Sequence, residues 1–296
     1  AGAEGTAGAA GTAGAAGIAG ATGAAGAAAG VVKSDGCGMD AGQALATHVK
    51  YSIMVPGAPA NYLARDYYVW LPATYDKTRA YPTVLVGPGC GGNGATTIPI
   101  EKASGEGAIV IGLQNSPKSS NPGCFMTESA MSPELGYFDE VVRLVESKYC
   151  VDKSHLFYEG FSSGAWLANL LGCARGNVLK AQGQSAGQTP PLPTCTGPIP
   201  MMAVTDMGDG NNPYNKGLEN ADLVRKRNGC SAGTMPYDPG PMVMAAKGGM
   251  LTCSQYVGCM PGKPVVWCST TNLGHNDGSI TGLSTYGFWK FWMSLP

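Results

Sequence analysis

The sequence predicts an α/β fold in which a mostly parallel sheet is covered by helices on both faces. Short apolar runs bounded by glycine recur along the chain, which is typical of buried parallel strands. Segments with apolar residues at helical spacing alternate with these runs. Such alternation of strand and helix indicates a parallel sheet with crossover helices.

The strands are predicted from their apolar patterns. The second of them alternates apolar and polar residues enough for an antiparallel edge strand. In chain order the predicted strands are Val49–Val55, Asp66–Leu71, Thr83–Val86, Ala108–Leu113, His155–Glu159, Ile199–Val204 and Val265–Cys268.

Three helices are predicted between and after these strands. Ser132 can cap the first of them, because it precedes a proline at the first helical position. A second helix is predicted over Ala165–Leu171 and a last one over Tyr286–Met293. The aromatic cluster of the last helix, like the apolar stripe of the first, is expected to pack in the core.

The composition excludes several classes of partner. The 296 residues carry a formal net charge of −1, and only 13% are charged, so no basic surface for nucleic acid is expected. No run approaches the roughly 18 apolar residues of a membrane span.

The ten cysteines lack the close pairing of a zinc site. They predict disulfides, and therefore an oxidising compartment. Because the sequence shows no signal peptide, Ala1 is expected to be the start of a processed, exported chain. The spacing suggests one local bridge, between Cys253 and Cys259.

Residues 1–30 differ in composition from the rest. Glycine stands at every third position from Gly2 to Gly26, and alanine and threonine fill most other places. This period is that of an extended polyproline-II-type helix, in which every third side chain lies on one face. The segment is either a flexible stalk or an arm that joins neighbouring copies into a homo-oligomer or filament. Residues 31–36 are then a linker, and 37–296 suit one catalytic domain.

A nucleophile motif lies between a predicted strand and a predicted helix. Gly160-Phe161-Ser162-Ser163-Gly164 matches G-x-S-x-G, in which a tight strand-to-helix turn lifts one serine hydroxyl clear of the backbone. Gly183-Gln184-Ser185-Ala186-Gly187 matches the same pattern, but the prolines after it prevent a helix from beginning there. Ser162 is therefore the predicted nucleophile, and Ser185 is expected at a strand end that runs into a loop.

An activated serine needs a base and an acid that orients the base. Of the three histidines, His48 precedes the first predicted strand, and His155 stands at the start of the strand that leads to Ser162, too far behind the elbow to face its hydroxyl. His275 follows the last predicted strand, where a loop can reach the elbow. His275 is therefore the predicted base. Asp206 and Asp209 both follow the strand Ile199–Val204; Asp209 is favoured because it lies farther along the loop, while Asp206 is expected to order the turn.

The oxyanion hole needs two backbone N–H groups. One is expected from Ser163 and the other from Cys90 or Gly91, within the glycine-rich loop Gly87–Gly94. This loop lacks the Gly-Lys-Ser/Thr ending of a phosphate-binding loop.

Several segments in order resemble the secreted esterase family of feruloyl esterases and polyhydroxybutyrate-type depolymerases. They are Asp66–Pro72, Gly89-Cys90-Gly91-Gly92, Tyr149-Cys150-Val151-Asp152 with the elbow after it, Asp209 with Pro213-Tyr214, and Gly274-His275.

The resemblance implies an α/β-hydrolase fold and hydrolysis of carboxylic esters without a cofactor or metal. The expected substrates are feruloyl or other aryl esters, acetyl groups, or polyesters. The chain departs from the family at Pro88, where the family usually has a structural histidine. The alternative functions are an extracellular structural protein on a hydrolase fold, with weak or lost activity, and a peptidase.

Overall fold

The computed structural model describes residues 30–95, 100–116, 123–243, 249–276 and 282–296. Within them the chain forms a ten-stranded sheet of order β1-β2-β4-β3-β5-β6-β7-β10-β9-β8. The strands are His48–Met54 (β1), Ala64–Trp70 (β2), Tyr81–Gly87 (β3), Ile109–Leu113 (β4), Val151–Phe161 (β5), Ala181–Ser185 (β6), Met201–Asp206 (β7), Thr234–Pro236 (β8), Leu251–Tyr256 (β9) and Val265–Thr270 (β10).

Five helices connect or follow the strands in the described part of the chain. They are Ile100–Ala103 (α1), Glu134–Lys148 (α2), Ser163–Ala174 (α3), Tyr214–Arg227 (α4) and Phe288–Met293 (α5), and a π-helical turn, Leu283–Gly287, leads into the last.

The centre of the sheet is parallel and its two margins are antiparallel. Strands β4, β3, β5, β6, β7 and β10 run in one direction. β1 pairs with β2 and β2 with β4 in antiparallel register, so the alternating strand predicted at the edge lies one place inside it. β10, β9 and β8 form the other antiparallel margin.

Helices cover both faces, as the pattern predicted. Successive residues of β3 point to opposite faces of the sheet. Leu85 packs in the hydrophobic cluster that includes residues of α2 and α3, and Val84 packs in the cluster that includes residues of α1 and α5. On the face of α2 and α3, α4 covers β7 and β10 through Val224 and Trp267. Three of the four aromatic residues of the last helix, Phe288, Phe291 and Trp292, are buried in the core, and Trp289 packs half-buried against the same cluster.

The start of α2 is capped as its sequence predicts. The Ser132 Oγ accepts a hydrogen bond from the Glu134 N–H at 3.1 Å. Pro133 between them already has helical dihedral angles, φ −64° and ψ −13°. The proline thus occupies a position whose missing N–H costs no helical bond.

All ten cysteines form disulfides, which confirms the prediction of a disulfide-bonded fold. The pairs are Cys37–Cys150, Cys90–Cys124, Cys173–Cys195, Cys230–Cys259 and Cys253–Cys268.

The predicted bridge between Cys253 and Cys259 is wrong. Cys253 lies on β9 directly opposite Cys268 on β10, and Cys259 bonds Cys230 beyond α4. The extended backbone of β9 carries the chain away from Cys253 by roughly 3.3 Å per residue, and disulfides need Cα atoms within about 7 Å.

The first described residues are fixed to the amino end of β5. The Val32 N–H donates to Asp152 at 3.2 Å, and the Ser34 Oγ donates to the Tyr149 carbonyl at 2.7 Å. Much of the predicted linker is therefore held against the domain. The predicted glycine-repeat arm, apart from Gly30, lies outside the described residues.

Candidate active site

Ser162 lies at a tight turn between the end of β5 and the start of α3. Its backbone has φ 53° and ψ −115°, a conformation that costs a non-glycine residue on the order of 1–3 kcal/mol. The residue is 7% exposed. The turn thus keeps its backbone packed while the hydroxyl faces a cleft.

The glycines of the motif allow this turn to pack closely. A Cβ at Gly160 would lie 2.1 Å from the backbone of Gly164, and one at Gly164 would lie 1.9 Å from the carbonyl oxygen of Gly87. No real Cβ tolerates such distances from backbone atoms. The two glycines therefore allow α3 to begin directly against β5 and β3.

His275 follows β10 and reaches the serine. Its Nε2 lies 3.1 Å from the Ser162 Oγ, and its ring packs against Phe161 with the ring centroids 4.9 Å apart. Its Nδ1 lies 3.0 and 2.9 Å from the two carboxylate oxygens of Asp209. Because a carboxylate only accepts, Nδ1 carries the proton and Nε2 is free to accept one from the serine.

The Asp209 carboxylate is held in place by its own loop. The backbone N–H groups of Asn211 and Asn212 donate to Oδ1 at 2.9 and 2.8 Å, and the side chain is fully buried. The structure thus joins Asp209, His275 and Ser162 in one chain of hydrogen bonds.

Asp206, the alternative acid, points elsewhere. Its carboxylate accepts from the Thr270 hydroxyl at 2.8 Å, the Leu273 N–H at 3.1 Å and the Gly208 N–H at 2.8 Å. Burial alone would raise the pKa of Asp206, but the hydrogen bonds from these groups hold it below its usual value. Asp206 therefore orders the turn and fixes the loop that leads to His275.

The side chains of the other candidate residues take no part in this chain of hydrogen bonds. Ser185 is the last residue of β6 and is fully buried; its carbonyl accepts the Ser162 N–H at 3.0 Å. His155 contacts Asp152 at 2.7 Å within β5, and His48 contacts Glu101 at 2.9 Å.

The expected oxyanion donors lie on two elements, the start of α3 and the loop after β3. Ser163 begins α3, where the first backbone N–H groups of a helix have no partner within the helix. On the loop after β3, Cys90 lines the cleft with Ser162, whereas the Gly91 N–H donates to the Gly123 carbonyl at 2.8 Å. The Gly91 N–H is thus already engaged by a backbone carbonyl, and Cys90, rather than Gly91, is among the residues that line the cleft.

A cleft of about 490 Å³ opens above these groups. Trp166 forms part of its wall, and the indole Nε1–H donates to the Asn212 Oδ1 at 3.1 Å. Neither residue was among the site residues predicted from the sequence. Trp166 follows the elbow by one helical turn, and that spacing is the signal that could have found it.

The residues that form the site come from loops at one edge of the sheet. Ser162 follows β5, Asp209 follows β7 and His275 follows β10, all at the carboxyl ends of parallel strands, where such sheets place their ligand sites. Chemically, the arrangement can deprotonate a hydroxyl and stabilise an oxyanion.

Among the described residues, no group of three His, Cys, Asp or Glu side chains converges as a metal site would. None of the described helices is long and apolar enough to span a membrane.

No family model matches the chain. A probable feruloyl esterase C of Aspergillus clavatus is 26% identical over 241 residues, which are 78% of this chain and 84% of the relative. Feruloyl esterase D of Neurospora crassa is 25% identical over 254 residues, 81% of each chain.

Solved structures show the same fold at lower identity. An acetyl xylan esterase from Aspergillus awamori has a TM-score of 0.60 and 16% identity, covering 81% of this chain and 99% of that one. A ferulic acid esterase from Anaeromyces mucronatus has a TM-score of 0.53 and 14% identity, covering 88% and 94%.

The fold and these relatives define the class of protein. The chain is a carboxylic ester hydrolase with the α/β-hydrolase fold. Within that class, the relatives that its sequence resembles are feruloyl esterases.

Proposed function

We propose that this chain is an exported serine esterase that cleaves carboxylic esters through an acyl-enzyme formed on Ser162. The observation that carries the proposal is the continuous hydrogen bonding from Asp209 through His275 to the Ser162 hydroxyl at the strand-to-helix elbow. Nucleophile, base and acid are thus all within hydrogen-bond distance of their partners.

In the first step, the Ser162 Oγ attacks the ester carbonyl carbon while its proton passes to the His275 Nε2. The ring becomes an imidazolium, and the buried Asp209 carboxylate stabilises its charge and holds its orientation. His275 then returns the proton to the leaving alcohol as the carbon–oxygen bond breaks, which leaves an acyl group on Ser162.

The tetrahedral intermediates of both steps carry a negative oxygen. The N–H groups of Ser163 and Cys90 are the proposed donors to this oxygen, and the amino end of α3 adds a favourable dipole. A water molecule, deprotonated by the His275 Nε2, then attacks the acyl carbon. The bond from that carbon to the Ser162 Oγ breaks, His275 returns the proton to the serine oxygen, and the carboxylic acid leaves.

The proposed substrates are feruloyl and related aryl esters of plant cell-wall material. The support is the sequence similarity to proteins named feruloyl esterase, over about four-fifths of each chain. Acetyl groups and polyesters are the further substrates for a comparative panel. Export is supported by the five disulfides, which persist in oxidising compartments.

The N-terminal repeat adds a proposal about assembly. We propose that residues 1–30 associate with the same segment of other copies, giving a homo-oligomer or filament of catalytic domains. The support is glycine at every third position from 2 to 26, which lets extended chains approach to backbone contact.

The proposed nucleophile is tested by replacing the serine of each G-x-S-x-G match. Ser162→Ala should reduce kcat/KM for a p-nitrophenyl ester and for methyl ferulate by on the order of 10⁴- to 10⁶-fold, with thermal unfolding unchanged. Ser185→Ala is the matched control and should retain activity. Activity that survives in Ser162→Ala and disappears in Ser185→Ala would contradict the assignment.

A further inference from the structure

Two amide side chains at the end of β4 hold the loop that carries Cys90. The Asn115 Nδ2 donates to the Gly89 carbonyl at 2.7 Å. The Gln114 Nε2 donates to the Gly92 carbonyl at 3.2 Å, and its Oε1 accepts the Gly94 N–H at 3.0 Å. The loop is thus bound by its carbonyls on either side of Cys90.

The Gly89 carbonyl that Asn115 binds belongs to the same peptide group as the Cys90 N–H. The described chain has no cis peptide bonds, so the Gly89 carbonyl and the Cys90 N–H lie in one plane and point in opposite directions. Because the carbonyl points at Asn115, the N–H points away from it. The Gly89 carbonyl also accepts the Gly92 N–H of its own turn at 3.0 Å. The orientation of the proposed oxyanion donor is therefore fixed jointly by this turn and by Asn115, whose contact is the shorter of the two.

The loop that carries Cys90 lies between the catalytic cleft and a second cavity, and Asn115 is on the side of the second cavity. Cys90 lines the catalytic cleft with Ser162 and His275, while Asn115 lines a separate cavity of about 390 Å³ with Gly91 and Gly92. Gly89 itself lies against the elbow, since a Cβ added there would be 3.3 Å from the Ser162 Cβ. An N–H directed away from Asn115 thus faces the side of the nucleophile.

The support behind these amides is rigid. The Arg65 guanidinium donates to the Gln114 carbonyl at 2.8 Å and pairs with Glu134 at 2.8 Å. Both charged side chains are almost wholly buried, with 1% and 0% exposed. Glu134 also accepts the Met126 N–H at 3.0 Å, so β2, the end of β4 and the start of α2 meet at one fixed point.

Asn115 is 4% exposed, and the cost of burying an amide is usually offset by hydrogen bonds to both of its ends. Its Nδ2 donates to the Gly89 carbonyl at 2.7 Å and, over a longer distance of 3.4 Å, to the Gly92 carbonyl, whereas its Oδ1 has no hydrogen-bond partner among the described protein atoms. If this side chain served only to fill space, leucine would stabilise the fold more, because it has no amide oxygen to bury without a hydrogen bond. The donor to Gly89 is the contact that accounts for an amide at this position.

We propose that Asn115 is a positioning residue for ester hydrolysis, which turns the Cys90 N–H toward the oxyanion by binding the Gly89 carbonyl. This inference rests on the proposed function. A hydrogen bond on the carbonyl also polarises the peptide group and strengthens its N–H as a donor. Asn115 touches no reacting atom and acts only through this peptide.

Asn115→Leu and Asn115→Asp test the proposal, because both keep the size of the side chain and remove the Nδ2 donor. We expect kcat for p-nitrophenyl acetate to fall about 10- to 100-fold, with KM within about twofold, since the oxyanion forms only after attack. The affinity for an aryl trifluoromethyl ketone, whose adduct with serine bears an oxyanion, should fall by a factor similar to that of kcat/KM.

Asn228 provides the matched control. It is fully buried and donates to the backbone carbonyls of Ile199 and Lys263 at 2.7 and 3.0 Å, at the amino ends of β7 and β10. Asn228→Leu and Asn228→Asp should lower the melting temperature at least as much as the Asn115 variants do, with kcat and ketone affinity unchanged.

The outcomes separate this inference from the proposed function. If folded Asn115 variants keep native kcat and ketone affinity, the positioning role is wrong while the esterase proposal stands. Equal losses of kcat in the Asn115 and Asn228 variants would show a structural role only. If the native protein hydrolyses no ester and Ser162 fails to react with a fluorophosphonate, both proposals are wrong.

Discussion

At the residue scale, two aspartates three positions apart have different partners. Asp209 is fully enclosed and faces the imidazole, whereas Asp206 receives donors from its own turn and from the loop before His275. The difference arises from where the loop after β7 turns. Asp206, the last residue of β7, is within reach of the loop that follows the neighbouring strand β10, while Asp209, three residues farther along, extends beyond the end of the strand.

Asp209→Asn and Asp206→Asn should therefore have distinct effects. Asp209→Asn removes the acceptor that fixes the imidazole tautomer, and we expect kcat/KM to fall on the order of 10³- to 10⁴-fold with little change in stability. Asp206→Asn sets an amide against the Leu273 N–H or the Thr270 hydroxyl, and we expect a loss of about 1–3 kcal/mol in unfolding free energy with much smaller loss of activity. Esterase kinetics and thermal unfolding of both variants check this. The reverse pattern would make Asp206 the acid.

At the element scale, the loop after β3 is held from several sides. Its Cys90 is bonded to Cys124, the adjacent Gly91 donates to Gly123, and Asn115 and Gln114 bind its carbonyls. These restraints all come from the segment that follows β4, and they hold the loop on both sides of Cys90, so the loop has little freedom to follow a substrate. A fixed donor costs no reorganisation when charge develops in the transition state.

Removing the Cys90–Cys124 bridge by paired alanine substitutions should affect both stability and catalysis. We expect a loss of about 2–4 kcal/mol in unfolding free energy and a fall of about 10-fold or more in kcat, because the loop carries the proposed oxyanion donor. The Cys230–Cys259 pair is the control, since it spans 29 residues against 34 and does not line the cleft. Its removal should destabilise to a similar degree and leave kcat unchanged. Equal effects on kcat would contradict the role of the loop.

The sequence predicted those parts of the candidate site that are encoded locally or by chain order. Ser162 was placed by a strand–turn–helix context, and His275 by being the histidine that follows the last central strand. The partner of the Gly91 N–H and the contact from Asn115 depend on how loops that are distant in sequence cross. The same reason explains the error at Cys253, whose neighbour across the sheet is 15 residues away. Local patterns carry no information on such pairings.

At the scale of the whole molecule, the sheet has a catalytic edge and an opposite edge. Ser162 follows the carboxyl end of β5, while Val32 and Ser34 are bonded to residues at its amino end. Ser162 lies ten positions after Asp152, with the rest of β5 between them, which corresponds to on the order of 30 Å. The N-terminal segment therefore joins the domain at the edge away from the cleft.

Deleting residues 1–29 should change assembly and leave catalysis intact. If the repeat joins copies, the full chain should be oligomeric by light scattering after size exclusion, and the chain that begins at Gly30 should be monomeric. Both should have the same kcat/KM for a soluble ester, because the arm joins the domain far from Ser162. A monomeric full chain at high concentration would contradict the assembly proposal.

The attachment of residues 32–34 at the amino end of β5 also bears on how the protein can be displayed on a support. An enzyme coupled to a bead or fibre through its N terminus would be anchored by the side opposite its cleft. Every immobilised copy would present Ser162 to the medium, whereas coupling through random surface lysines would block a share of the copies. Activity per bound molecule on an insoluble ester should therefore be higher for N-terminal coupling.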